Sequence, residues 1–262
     1  MKADLTIDVK RESRRIIDFI RECVKKAGFK RVVLGLSGGV DSATTYFLAC
    51  EALSPGNVIS VMMPYGDWNR KDGDDVYRLI KTVGPNSGEI ISVDVKPLTE
   101  PVMEIDGDRD EIRAGNIMVR MRMIVLYDLS KKYRALVLGT ENRTEYLLGY
   151  FTRYGDEASD IEPIRHLYKT QVRQMAKFLG VPEEIVRKTP SAGLWAGQTD
   201  EGELGFDYKS ADEILYLYID KGLSVREIIE LGYNRDKAEK VLKRMKDNEF
   251  KHKLPYLYKF RK

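Results

Sequence analysis

The sequence predicts an α/β fold, an open parallel sheet with helices on both faces and a helical extension at the C-terminal end. Three observations carry this. Short apolar runs rich in β-branched residues recur at 32–36, 57–63, 90–93 and 136–140, each too short for a helix and suited to strands covered on both faces. Stretches with helical apolar spacing separate them, which imposes crossover connections and therefore parallel strands. Beyond residue 205 only helical patterns follow. We expect one domain over 1–262: an N-terminal helix in 1–28, an α/β core in 29–190, and a flap, helices and tail in 191–262.

In chain order, Ile16, Ile17, Ile20, Val24 and Ala27 recur at helical spacing up to Gly28, which predicts a helix over 8–27. Its basic residues Lys10, Arg11, Arg14 and Arg15 read as solvated surface. Strand 32–36 passes through Ser37-Gly-Gly-Val-Asp-Ser42 into a helix from Ala43, marked by Tyr46, Phe47, Cys50 and Leu53. Strand 57–63 closes at Pro64, which places 64–67 at its C-terminal end, the edge where open α/β sheets bind ligands. A helix over 74–83 and a strand over 90–93 follow. Residues 116–132 carry apolar side chains around almost the whole helix, which predicts burial on more than one side. Arg120 and Arg122 lie inside that stretch; each needs a carboxylate, a phosphate or water, and Arg120 is the candidate for an anionic substrate. After strand 136–140, residues 149–164 mix aromatics, glycines and acids as a binding loop does. A helix over 169–179 ends at Gly180. Four glycines and Trp195 without periodicity predict a mobile flap over 191–205. Helices over 209–221, 224–231 and 235–248 alternate acids with bases, the pattern of a solvated face and not of a nucleic-acid reading head.

Charge excludes two classes of partner. The 44 Lys and Arg are nearly balanced by 41 Asp and Glu, a net +3, so nothing drives the whole molecule toward nucleic acid or an anionic membrane. No apolar run approaches the ~18 residues of a membrane span. Cys23 and Cys50 stand at core-like helical positions, which suits a reduced protein of the cytoplasm and not a disulfide framework or zinc site.

The glycine turn is the chemical centre. Gly38 and Gly39 let a ligand approach the backbone, and the helix behind them presents unpaired N–H groups and the positive end of its dipole, a phosphate site. The pattern lacks the lysine of a Gly-x-x-x-x-Gly-Lys-Ser/Thr loop and is not Gly-x-Gly-x-x-Gly. Asp41 is placed to hold magnesium against phosphates. The stretch resembles the pyrophosphate loop of the ATP pyrophosphatases, which adenylate a substrate and release pyrophosphate.

Downstream segments resemble one branch of that superfamily. Gly-Asn-Ile-Met-Val-Arg-Met-Arg-Met at 115–123, Leu-Gly-Thr-Glu-Asn-Arg-Thr-Glu at 138–145, Gly-Tyr-Phe-Thr-Arg-Tyr-Gly-Asp at 149–156, Asp-Ile-Glu-Pro-Ile at 160–164, the segment 169–182 and Pro-Ser-Ala-Gly-Leu-Trp-Ala-Gly-Gln-Thr-Asp-Glu at 190–201 are similar, in order and spacing, to the ammonia-dependent NAD synthetases. The resemblance implies that the nicotinate carboxylate of deamido-NAD attacks the α-phosphorus of ATP and that ammonia then displaces AMP. It implies ATP contacts at Gly35, Leu36, Ser37, Gly38, Gly39, Val40, Asp41, Ser42, Thr140, Lys169 and Ser191. Mg2+ would rest on Asp41 and Glu145. Deamido-NAD would meet Arg120, Arg153, Asp160, Lys251 and His252, where Arg153 stands in place of the family's common lysine and Phe250 in place of a histidine of its tail. Lys169 and Asp160 are the catalytic candidates, Asp160 as proton acceptor for ammonia or as a positioner of deamido-NAD. The resemblance also implies a homodimer. Other adenylating pyrophosphatases, including tRNA-thiolating enzymes, and a nucleotide-binding regulatory protein are the competing readings. Without an additional amidase domain visible in the sequence, free ammonia is the expected nitrogen donor.

Overall fold

A computed structural model describes residues 3–67, 70–84, 88–107, 109–253, 255 and 258, the side chains of 70–72 excepted. Four parallel strands, β1 (Arg31–Gly35), β2 (Val58–Met62), β3 (Ile90–Ser92) and β4 (Ala135–Leu138), pair in the order β3-β2-β1-β4. The chain steps outward from β1 to β3 and then returns to the other side of β1. The strand order therefore reverses between β1 and β4, and the crevice at their carboxyl ends is where such a sheet takes its ligand.

Alternation along the strands sorts the two faces. Val32 and Leu34 of β1 pack with α1 (Val9–Lys26), α2 (Val40–Leu53) and, later in the chain, the helix over 169–179. Ile16, Ile20, Tyr46, Leu48, Val172 and Met175 fill this layer. Val33, Ile59, Val61 and Val137 point to the opposite face. After α3 (Arg70–Val83) and α4 (Lys96–Glu104), the long α5 (Glu111–Tyr133) covers that face through Val125 and Leu129. Then come α6 (Arg143–Leu148), α7 (Lys169–Leu179), α8 (Glu183–Arg187) and α9 (Asp200–Leu204). The C-terminal group of α10 (Tyr208–Leu215), a π turn over 216–220, α11 (Val225–Glu230) and α12 (Arg235–Asp247) packs on α6 and α7 around Tyr208, Ile214, Leu215, Ile228 and Val241. Among the described residues no helix is long and apolar enough to cross a membrane, and Cys23 and Cys50 are free thiols.

Three expectations need correction. Helix α2 begins at Val40, three residues earlier than its apolar spacing suggests, because Gly39 serves as the N-cap and the loop itself winds into the first turn. Helix α4 was not anticipated: Pro97 fits its first turn, where no N–H is needed, but Pro101 breaks the pattern in its interior. Most consequentially, α5 packs against the sheet and α4 but leaves part of its apolar ring uncovered. Met118, Val119, Val125 and Leu129 are covered, while Ile112 and Ile124 are 58% and 52% exposed.

The C-cap of α6 yields a test of how tightly the helical extension is fastened. Gly149 sits at φ 60° in the left-handed region, and a Cβ there would overlap the Asn248 side chain beyond the end of α12. Gly180, with φ 80°, has open space around it. Gly180→Ala should cost about 1–2 kcal/mol from backbone conformation alone, and Gly149→Ala distinctly more; thermal unfolding of the two variants reads the difference as a larger drop in Tm for Gly149→Ala.

Candidate active site

The site forms where β1 and β4 end. Gly35 leads into Leu36, whose N–H still bonds to Val61 of β2 at 2.9 Å, and the chain then turns through Gly38 at φ 76°. The two flanking serines brace the turn: Ser37 Oγ lies 3.1 Å from Ser42 Oγ, Gly39 N–H donates to Ser37 Oγ, and Ser42 Oγ donates to Gly39 O. With glycine as N-cap, no side chain caps α2. The N–H groups of its first turn are left to an incoming anion.

Facing this turn is a buried ammonium. Lys169, the first residue of α7, is 2% exposed. Its Nζ donates to Asp41 Oδ2 at 2.6 Å and to Glu145 Oε1 at 2.9 Å, and lies 4.8 Å from the centre of the Tyr208 ring. Asn142 ties the group together, donating from Nδ2 to Asp41 Oδ1 while capping α6 in a reciprocal pair with Glu145. Tyr150 and Tyr208 both donate to the buried Asp200 at the start of α9. Burial alone would lower the Lys169 pKa, but Asp41 and Glu145 outweigh it and raise it above the ordinary lysine value. Burial pushes the Glu145 carboxyl upward against the pull of Lys169. The ammonium therefore stays charged, at the centre of a shared carboxylate pair.

A cavity of about 920 Å³ opens over these residues. Of the nucleotide contacts expected from the sequence, Gly35, Leu36, Ser37, Gly39, Val40, Asp41, Ser42, Thr140, Lys169 and Ser191 line it, with Gly38 buried just behind. Asp41 and Glu145 form a donor set that suits a hard divalent cation. Mg2+ typically takes one or two protein carboxylates and fills its shell with phosphate oxygens and water, so two carboxylates that already share one cationic group fit it. No cluster of three or more potential ligands occurs among the described residues.

The residues expected to meet deamido-NAD lie elsewhere. Arg120 is exposed on α5, with Nε donating to Arg153 O at 3.2 Å, and Arg153 reaches Lys253 O. It is Arg122 that lines the cavity, its Nε on Met63 O. Asp160 is exposed and outside the cavity lining, its carboxylate accepting Val137 N–H at 2.7 Å. Lys251 donates to Gly149 O and Phe151 O, and His252 stacks on Tyr146 with Nε2 2.6 Å from its carbonyl. In the segment expected to be an irregular flap, Ser191 Oγ donates to Gln198 O and Thr199 caps α9.

Sequence reasoning missed Asn142, Tyr150, Asp200, Tyr208 and Glu141. Asn142 three residues before Glu145 is a capping-box spacing and was readable as such; nothing local announces the others. Glu141 is 6% exposed on the cavity wall, and burial, only partly offset by Arg165, pushes its carboxyl up to about 9.

The family model described as NAD synthase matches residues 12–255. The NH(3)-dependent NAD(+) synthetase of Pyrococcus horikoshii is 44% identical over 251 residues, covering 95% of this chain and 94% of its own. Among solved structures, the NH3-dependent NAD synthetase of Campylobacter jejuni, in complex with nitrate, superposes with a TM-score of 0.82 at 30% identity, over 97% of this chain and 100% of that one. The NMN synthetase of Francisella tularensis gives 0.85 at 30% identity with the same coverage.

Glu141 makes stability fall with pH. A carboxyl that holds its proton more tightly when folded contributes stability that is complete below its ordinary value of 4.5 and is lost as pH rises toward about 9. Glu141→Gln keeps the neutral shape without the titration. Its Tm relative to the wild type should climb steadily between neutral and alkaline pH, measured by differential scanning calorimetry in matched buffers.

Proposed function

Because the chain belongs to the NAD synthase family, we propose that it converts deamido-NAD, ATP and ammonia into NAD, AMP and pyrophosphate. The observation that carries the reading is the braced glycine turn facing the Asp41–Lys169–Glu145 cluster in one cavity.

In the first half-reaction a nicotinate carboxylate attacks the α-phosphorus of ATP and pyrophosphate leaves. Two anions must meet, so positive charge has to be in place before they arrive. The first-turn N–H groups of α2 receive the phosphates, and Lys169 exchanges part of its carboxylate pairing for phosphate oxygen without leaving its buried seat. Asp41 and Glu145 would hold Mg2+, which when bound neutralises charge on the phosphates and the departing pyrophosphate. Thr140 and Ser191, both in the cavity lining, contact the nucleotide. In the second half-reaction ammonia attacks the acyl carbon and AMP departs; water must be kept from the adenylate, which the segment around Ser191 serves by covering the cavity.

Asp160, exposed and bonded to backbone, takes the positioning role and not that of proton acceptor. Arg120 and Arg153 stand together on the side of α5, and Lys251 and His252 stand on the segment 146–151. Ile112, Arg120, Ile124 and Asp128 are exposed at helical spacing along that helix, and the exposed isoleucines suit a two-fold contact with a second copy, which would bring the dinucleotide site under both protomers. The two free thiols suit a reducing compartment, which makes the cytoplasm the proposed location.

Purified protein incubated with ATP, magnesium, ammonium and deamido-NAD should form NAD, AMP and pyrophosphate in equal amounts. Because one structural neighbour is an NMN synthetase, nicotinate mononucleotide belongs in a parallel reaction; faster turnover of the mononucleotide would reassign the substrate. ATP binding without pyrophosphate release would end the enzymatic reading. Ile124→Asp should convert a dimer to a monomer in sedimentation velocity and raise the KM for deamido-NAD more than that for ATP; a wild type that sediments as a monomer at assay concentrations would refute the shared site.

A further inference from the structure

Glu141 has no part in the scheme so far, yet it is the most unusual group in the cavity. Both carboxylate oxygens are shut from solvent and neither has a hydrogen-bond partner. Arg165 Nη2 comes within 2.9 Å of Oε2 without hydrogen-bond alignment. A buried oxygen left without a donor carries its full desolvation penalty, so the position points to a donor supplied by a ligand.

The surroundings specify that donor. Glu141 lies in the cavity wall with Glu145, Phe151 and Asp156. Charged groups act on it from four segments: Arg165 and Glu162 from the stretch before α7, Asp156 from the loop after α6, Glu145 from α6 itself, and Lys251 from the tail. Arg165 is shared with Glu162, at 3.1 Å, so it does not serve Glu141 alone. Phosphates and the nicotinate carboxylate bring acceptor oxygens and cannot supply the missing donor. Of the reactants, only ammonium is small, cationic and made entirely of donors.

We propose that Glu141 is the ammonia site: its carboxyl binds ammonium, takes one proton from it, and presents neutral ammonia to the acyl adenylate. The proposal rests on the amidation reading above. The ammonium N–H bond breaks and its proton goes to the Glu141 carboxylate. The freed lone pair forms the C–N bond at the acyl carbon, the C–O bond to phosphate breaks with its electrons leaving on AMP, and the surplus proton on the new amide nitrogen passes to water. Carboxylate with ammonium, and carboxylic acid with ammonia, hold the same protons and no net charge, so either form of the pair is tolerated in a buried wall. Burial supports this, since a proton affinity near 9 lies in the range of an amine and not of a carboxylate.

The test sets ammonia against hydroxylamine, whose free base predominates at neutral pH and needs no proton acceptor before attack. Glu141→Gln should lower kcat/KM for ammonium by about 10²-fold or more while hydroxamate formation from hydroxylamine, and exchange of labelled pyrophosphate into ATP with deamido-NAD present, stay close to wild type. Glu141→Asp should recover part of the ammonium activity. Equal loss with both nucleophiles, or loss of exchange, would make Glu141 structural and overturn the proposal, as would unchanged ammonium kinetics. Absence of NAD from the wild type removes the underlying reading, and the wild-type arm tells that failure from failure of the inference alone.

Discussion

One buried ammonium organises this molecule. Lys169 opens α7, Asp41 lies in the first turn of α2, Glu145 in α6 and Tyr208 in α10, and the last three meet around the Lys169 nitrogen. Those helices come from both ends of the chain and from the two apolar layers on that side of the sheet. A buried ion pair is poor evidence for stability, because well-packed apolar groups of similar volume often do as well. Its value is that the positive charge is desolvated and oriented before substrate arrives, so little reorganisation is left for the moment of reaction.

That constraint explains the layout of the cavity. Positive potential gathers at the β1 side, from the α2 first turn and Lys169. The acids Glu141, Asp156 and Glu162 collect beyond β4, with Gly139 so close to Glu162 that a Cβ would overlap its carboxylate. The two half-reactions ask for this separation: polyanions gather at one end, and a cationic amine source is drawn to the other. Merging the ends would let Lys169 pair with the acid wall and leave neither charge available.

The sequence made the local chemistry legible. Ser37 to Ser42, Glu145 and Lys169 each belong to a short pattern whose neighbours dictate its geometry, and all end in one cavity. Tyr208 and Asp200 were invisible because their role comes from packing between distant helices, which no local spacing encodes. Glu141 read only as one polar residue beside a strand; its character comes from burial. Helix α5 misled for the opposite reason. Its apolar residues ring the helix as the pattern said, yet only the faces toward β1, β4 and α4 are covered within one chain, and Ile112 and Ile124 stay exposed.

The tail carries this reasoning a step further. Lys251 and His252, expected from the family resemblance as dinucleotide contacts, clasp within this chain the carbonyls of Gly149, Phe151 and Tyr146, and Arg153 bonds back to Lys253. Burial lowers the Lys251 pKa, as expected of an amine seated among backbone carbonyls with no carboxylate bonded to it. The tail thus fixes the segment that joins α6, with Glu145, to the loop carrying Asp156 and Asp160. Holding that segment sets the distance between the phosphate end and the acid wall. A residue that orders a binding loop and a residue that touches ligand leave the same trace in a sequence pattern, and only the bonded partner, here a backbone carbonyl, tells which work the side chain performs.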